Sequence, residues 1–154
     1  MIESKEELSR SARRFHRLLS ENASDLLEFM SIASPTDESP YIEHGSIVLQ
    51  IPAREGFLFN RIYVETRKED ILVVLGDVLN RHISWWSEDS VEKQMKLAIQ
   101  LIMDILDEQV IFVKRRAHLG RKELYEDVRI EDLSKVKRVL AVYSWKGTYD
   151  RVGK

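Results

Sequence analysis

Apolar residues recur every three or four positions over a first stretch of the chain, cover nearly every side of a second, and crowd or alternate over most of the rest. In the first stretch Leu8, Ala12, Phe15, Leu19, Ala23, Leu26 and Met30 share one face, a spacing that predicts an amphipathic helix over roughly 5–32. Ser4-Lys5-Glu6-Glu7 reads as a capping box at its start. The opposite face carries Arg10, Arg13, Arg14, Arg17, Glu21, Asp25 and Glu28. The pattern fades at Ser34-Pro35, and 34–45, with two of the three prolines, reads as a loop. The second stretch, DSVEKQMKLAIQLIMDILDE over 89–108, has apolar residues on nearly every side and neither Gly nor Pro. Asp89 and Glu92 mark its start, so a helix is expected over 90–108. A helix of that kind must be buried against something broad.

Strand-like sequence surrounds it. Segment 46–52 reads as a short strand ending at a turn near Glu55-Gly56. In 57–66, Leu58, Ile62 and Val64 mark one face while Phe57, Phe59 and Tyr63 mark the other. A charged turn, Arg67-Lys68-Glu69-Asp70, leads to 71–75, which is apolar on both faces and reads as a central strand. Gly76-Asp77 interrupts it before an extended run over 78–86. Beyond the second helix, 109–118 and 122–130 form a hairpin about Leu119-Gly120. One helical turn at 131–137, a last strand at 138–145 and a Gly-containing tail at 146–154 complete the chain. The expected class is therefore α+β. One domain, 1–154, would carry a mostly antiparallel sheet of about five to seven strands, with the long N-terminal helix and the second, buried helix packed on it.

Composition narrows function mainly by exclusion. A chain of 154 residues has a usual length for one domain, and at that length roughly 70% of the unfolded surface is buried without metal or disulfide staples. Net charge is -2, from 24 Lys+Arg against 26 Asp+Glu. That balance argues against a dedicated polyanion binder and leaves room for local patches. The absence of cysteine removes disulfides, thiol nucleophiles and thiolate metal sites. The first residues, MIESKEELSR, lack the apolar core of a signal peptide. Apolar runs stay well below the ~18 residues of a membrane span. A cytoplasmic protein without membrane contact is expected.

No catalytic, metal or cofactor signature stands out. His16, His44, His82 and His118 lack metal-ligand spacing, and no HExxH, GxGxxG, Walker loop or GxSxG occurs. No catalytic residue, metal or cofactor is expected. His82, Trp85 and Trp86 form the densest unusual cluster. They read either as core packing at a strand-to-helix junction or as a recognition surface, because Trp combines large contact area with one N–H donor. Asp104, Asp107 and Glu108 fall at the C-terminal end of the second helix, where the helix dipole disfavours carboxylates. An exposed acidic patch is the economical reading, and such a patch would also suit a basic partner. Lys114, Arg115, Arg116, His118, Arg121 and Lys122 surround the hairpin turn, with Tyr125 close by. They would suit a phosphate backbone, although Glu123, Glu126 and Asp127 follow directly. In Ser144-Trp145-Lys146-Gly147-Thr148-Tyr149-Asp150, the two large aromatics either pack over a sheet edge or display a surface.

The run His82-Ile83-Ser84-Trp85-Trp86 leads into the apolar helix 91–106 and on through Asp107-Glu108-Gln109-Val110-Ile111. Together with the Ser144-Trp145-Lys146-Gly147 ending, this layout resembles small bacterial α+β proteins found among the immunity proteins of polymorphic toxin systems. The resemblance covers about 70–150 and implies a protein without catalysis that binds a cognate toxin and blocks its active site. A protein partner is thus the first expectation, with Trp85, Trp86, Glu88, Asp89, Trp145 and Tyr149 as the binding residues. A nucleic-acid or regulatory module built on Lys114, Arg115, Arg116, Arg121 and Lys122 is the alternative. A small-ligand binder or enzyme with a pocket beside His82 is the second.

Overall fold

The computed structural model describes residues 8–37, 40, 42–68, 70–76, 79–82, 90–117 and 122–152, with 79–82 described by their backbone. The element order is α1 (Arg10–Asn22), a 3-10 helix (Ser24–Phe29), β1 (Met30–Ala33), β2 (Ser46–Pro52), β3 (Arg61–Thr66), β4 (Ile71–Leu75) and β5 (Leu79–His82). Then come α2 (Val91–Leu106), β6 (Val110–Arg116), β7 (Glu123–Arg129), a second 3-10 helix (Ile130–Lys135), β8 (Val139–Tyr143) and β9 (Arg151–Val152). The class is α+β. In place of one sheet there are two, a five-stranded one ordered β1-β2-β3-β4-β5 and a four-stranded one ordered β7-β6-β8-β9. Every pairing among the described residues is antiparallel.

The chain divides into two compact units, Met1–Pro52 with Arg61–Gln100, and Ala53–Asn60 with Leu101–Lys154. In the first unit, β2, β3 and β4 present Ile47, Leu49, Ile51, Ile62, Val64, Ile71, Val73 and Leu75 on one face, all buried. Alternation along each strand puts these residues in register. Helix α1 packs on β2 and β3 and buries Ala12, Phe15, Leu18 and Leu19. Its cap is Ser9, whose hydroxyl accepts the Ala12 N–H at 3.1 Å; the expected capping box at Ser4 lies outside the described residues.

The first helix is shorter than its periodicity predicts. At its end the Asn22 side chain donates to the Leu18 carbonyl at 2.8 Å, and Ala23 turns to an extended φ of -155°. Asn, Ser and Asp in sequence offer the backbone alternatives to helix, and Asn22, Ser24 and Asp25 follow one another closely here. Leu26 is then buried from the 3-10 helix, and Met30 pairs with Leu49 as part of an edge strand. A helical repeat of apolar residues thus continues across three different conformations.

In the second unit, β6 is an interior strand and buries Ile111, Phe112 and Val113 completely. Helix α2, whose Val91–Gln100 part belongs to the first unit, also departs from expectation. Gln94, Met95, Ala98, Ile99, Ile102 and Ile105 are buried, but Lys93, Lys96, Leu97 and Gln100 form an open face. Residues 57–60, read as the start of a strand, belong instead to a loop that closes with the Ala53 N–H on the Asn60 carbonyl at 2.9 Å. No helix among the described residues is long and apolar enough to cross a membrane.

Candidate functional site

The end of α2 and the segment after β8 meet at one carboxylate. The Gln109 N–H donates to the Asp104 carbonyl at 2.8 Å, and the Glu108 N–H to the Ile105 carbonyl at 3.1 Å. This pair of bonds is the Schellman ending of a helix, which needs a left-handed residue at the position of Glu108. Glu108 supplies it with φ 58°. For a residue with a Cβ that conformation costs about 1–2 kcal/mol. Its side chain is only 6% exposed, and the carboxylate accepts the backbone N–H groups of Lys146 at 2.8 Å and Thr148 at 3.2 Å. Burial pushes the Glu108 carboxyl up, but hydrogen bonds from the Thr148 and Ser144 hydroxyls and from those two N–H groups outweigh it, leaving the pKa below its ordinary 4.5. The sign matters. A depressed carboxyl pKa means that the clamp is intact at neutral pH and is lost only as pH falls below 4.5 through the lowered value.

Asp150 closes the same loop from its other end, accepting the Ser144 N–H at 2.7 Å. Arg54 pairs with the Asp150 carboxylate and donates to the Trp145 carbonyl at 3.1 Å and the Ser144 carbonyl at 3.3 Å. Gly147 has φ +84°, and a Cβ there would meet the Arg54 guanidinium carbon at 3.4 Å. Glycine therefore serves the turn, whose φ of +84° a side chain rarely adopts, while Arg54 would sit in ordinary contact with an added Cβ. The Ser144 hydroxyl accepts the Tyr149 N–H at 3.0 Å.

Beneath the loop, Trp145 joins an aromatic cluster. Its ring lies 5.4 Å from Phe57 and 6.3 Å from Phe59, which in turn packs 5.2 Å from Phe112. The two readings of the aromatics in 144–150 thus divide between them: Trp145 packs and Tyr149, 41% exposed, is displayed. Val152 follows on the edge strand β9 and is 83% exposed. Tyr149 is thus displayed on a backbone tied at both ends, by Glu108 and by Asp150, with Val152 exposed just beyond it.

Other expected positions fare differently. Trp85, Trp86, Glu88 and Asp89 lie outside the described residues, as do His118 and Arg121, and His82 is described by its backbone, opposite Leu72. The expected acidic patch at the end of α2 does not form. Asp104, 8% exposed, is ion-paired with Arg129 at 2.7 Å, Glu108 is buried as above, and Asp107 alone is exposed. On the hairpin, Lys114 pairs with Glu123 at 2.8 Å and Arg115 with Glu126 at 2.7 Å. Hydrogen bonds to those carboxylates hold both cations above their ordinary pKa. Arg116 and Lys122 stay exposed.

Sequence reasoning missed Arg54 and the Phe57/Phe59 pair as parts of the loop's support. It also missed a polar row on β3. There Tyr63 donates to Glu65 at 2.8 Å, and Arg67 binds the other Glu65 oxygen, on a carboxylate residue that is 3% exposed. The spacing of residues 63, 65 and 67 is the signal that could have revealed it, since alternate strand residues share a face. Among the described residues, no group of three or more His, Asp or Glu side chains is placed to hold a metal ion. Comparison with protein-family models, with curated proteins and with solved structures finds no match.

Proposed function

We propose that the chain is a binding protein that acts by protein–protein contact, with residues 144–152 as its recognition surface. The observation that carries this reading is the clamped loop. Glu108, Arg54 and Asp150 spend their polar groups on holding its backbone, while Tyr149 and Val152 remain exposed. Large aromatics on a rigid frame are favoured at the centres of interfaces. In the finer form of the proposal the partner is a toxin whose active site is blocked by this contact. The support for that form is the resemblance carried by residues 82–86, 91–111 and 144–147.

The test is co-purification of the full chain from the cells that produce it, after nuclease treatment, with the wild type and Tyr149→Ala side by side. Tyr149 is exposed, so its truncation is expected to leave folding intact, and to weaken partner binding by about 2 kcal/mol, roughly thirtyfold in Kd. A stoichiometric protein retained by the wild type and lost from the variant supports the loop. A partner held equally by both places the binding surface elsewhere. Nucleic acid released at raised salt favours the hairpin instead.

A further inference from the structure

We infer that Glu108 is the positioning residue of the recognition loop, kept at a backbone position suited to glycine because its carboxylate organises residues 144–150. The inference rests on the assignment of that loop as the binding surface. The two helix-ending bonds, Gln109 N–H to Asp104 and Glu108 N–H to Ile105, involve backbone atoms alone. Glycine would make both, without the penalty of a Cβ at φ 58°. The side chain does not serve the helix either, since a carboxylate at a helix C-terminus opposes the macrodipole. Burial of a carboxylate is a third cost.

All three costs fall on one residue, and its contacts with one loop offset them: the N–H groups of Lys146 and Thr148, on either side of Gly147, joined by the Thr148 and Ser144 hydroxyls. The Lys146 and Thr148 residues are exposed, yet these two N–H groups converge on a single buried oxygen of Glu108. Without an acceptor there, both donors would turn to water or to new partners, and the loop would lose its tie to the end of α2.

The experiment compares Glu108→Gly and Glu108→Gln with the wild type, each as the full chain, by amide hydrogen exchange followed residue by residue and by capture of the partner. In E108G, exchange at the Lys146 and Thr148 amides is expected to rise by about tenfold or more, while the Gln109 amide, which caps the helix, stays protected. E108Q keeps an oxygen that can accept and is expected to fall between the two. It also serves as the test variant if E108G does not fold. Lys146 and Thr148 amides as protected in both variants as in the wild type would overturn the inference. Faster exchange with loss of partner capture supports both the positioning role and the loop as surface. Faster exchange with capture unchanged leaves Glu108 as the organiser of the loop and removes the loop from the interface.

Discussion

Tyr63 and Glu108 show how a single side chain reports its surroundings. Burial foremost, then the hydrogen bond and the negative charge of Glu65, push the Tyr63 phenol up to about 12. A raised pKa means that the folded state holds the proton longer than the unfolded chain does. The corresponding stability is present below the ordinary value of 10.0 and is lost as pH climbs from there to about 12. Absorbance at the tyrosinate band is therefore expected to show a late step near pH 12 from Tyr63, and Tyr63→Phe should abolish that step. An unchanged titration in the Phe variant would assign the step elsewhere. Neither environment was legible in the sequence as such. Tyr63 and Glu65 needed their strand and its face, and Glu108 needed a contact 38 positions away. What the sequence did carry was an anomaly, carboxylates placed against the dipole of α2.

Elements were legible wherever a local period matched a local fold. β2, β4 and β6 stand where alternation or unbroken apolar runs put them. α2 stands where its apolar run, free of Gly and Pro, does. The failures came where two periods were mistaken for one. Helix α1 ends at Asn22 because short polar side chains compete for its last carbonyls, although Leu26 and Met30 continue the apolar spacing. Its start depends on Ser9, so Ser9→Ala is expected to lower stability by about 1 kcal/mol in denaturant unfolding, with an unchanged dependence on denaturant. No loss of stability would mean that the Ser9 N–H bond to the Gly45 carbonyl, 2.9 Å, holds this end without the hydroxyl. Residues 57–60 failed for a related reason. Phe57, Leu58 and Phe59 look like strand, but the two phenylalanines are drawn to Phe112 and Trp145.

For the molecule as a whole, a net charge of -2 conceals how the charges are used. Lys114 and Arg115, counted in the sequence as a basic patch, are each matched across the hairpin by a carboxylate. Exposed pairs of this kind contribute little to stability, but they lower the positive potential seen by a polyanion. Replacing both partners, as Glu123→Gln with Glu126→Gln, is expected to leave folding nearly unchanged and to make the chain elute from a heparin column at higher salt. Elution at the wild-type salt would show that the pairs do not govern the charge of the hairpin.

The class α+β, the existence of two helices and the approximate places of most strands follow from the sequence, because each depends on side-chain periods of two or 3.6 residues that neighbouring positions reveal. The division into two sheets and the assignment of Ala53–Asn60 to the second unit do not follow from it. Nor does the clamp on residues 144–150, where Arg54 reaches Trp145 across 91 positions and Glu108 reaches Lys146 across 38. Those contacts are made by groups whose own neighbours carry no trace of the partner, so they emerge only when the folded chain brings donor and acceptor together.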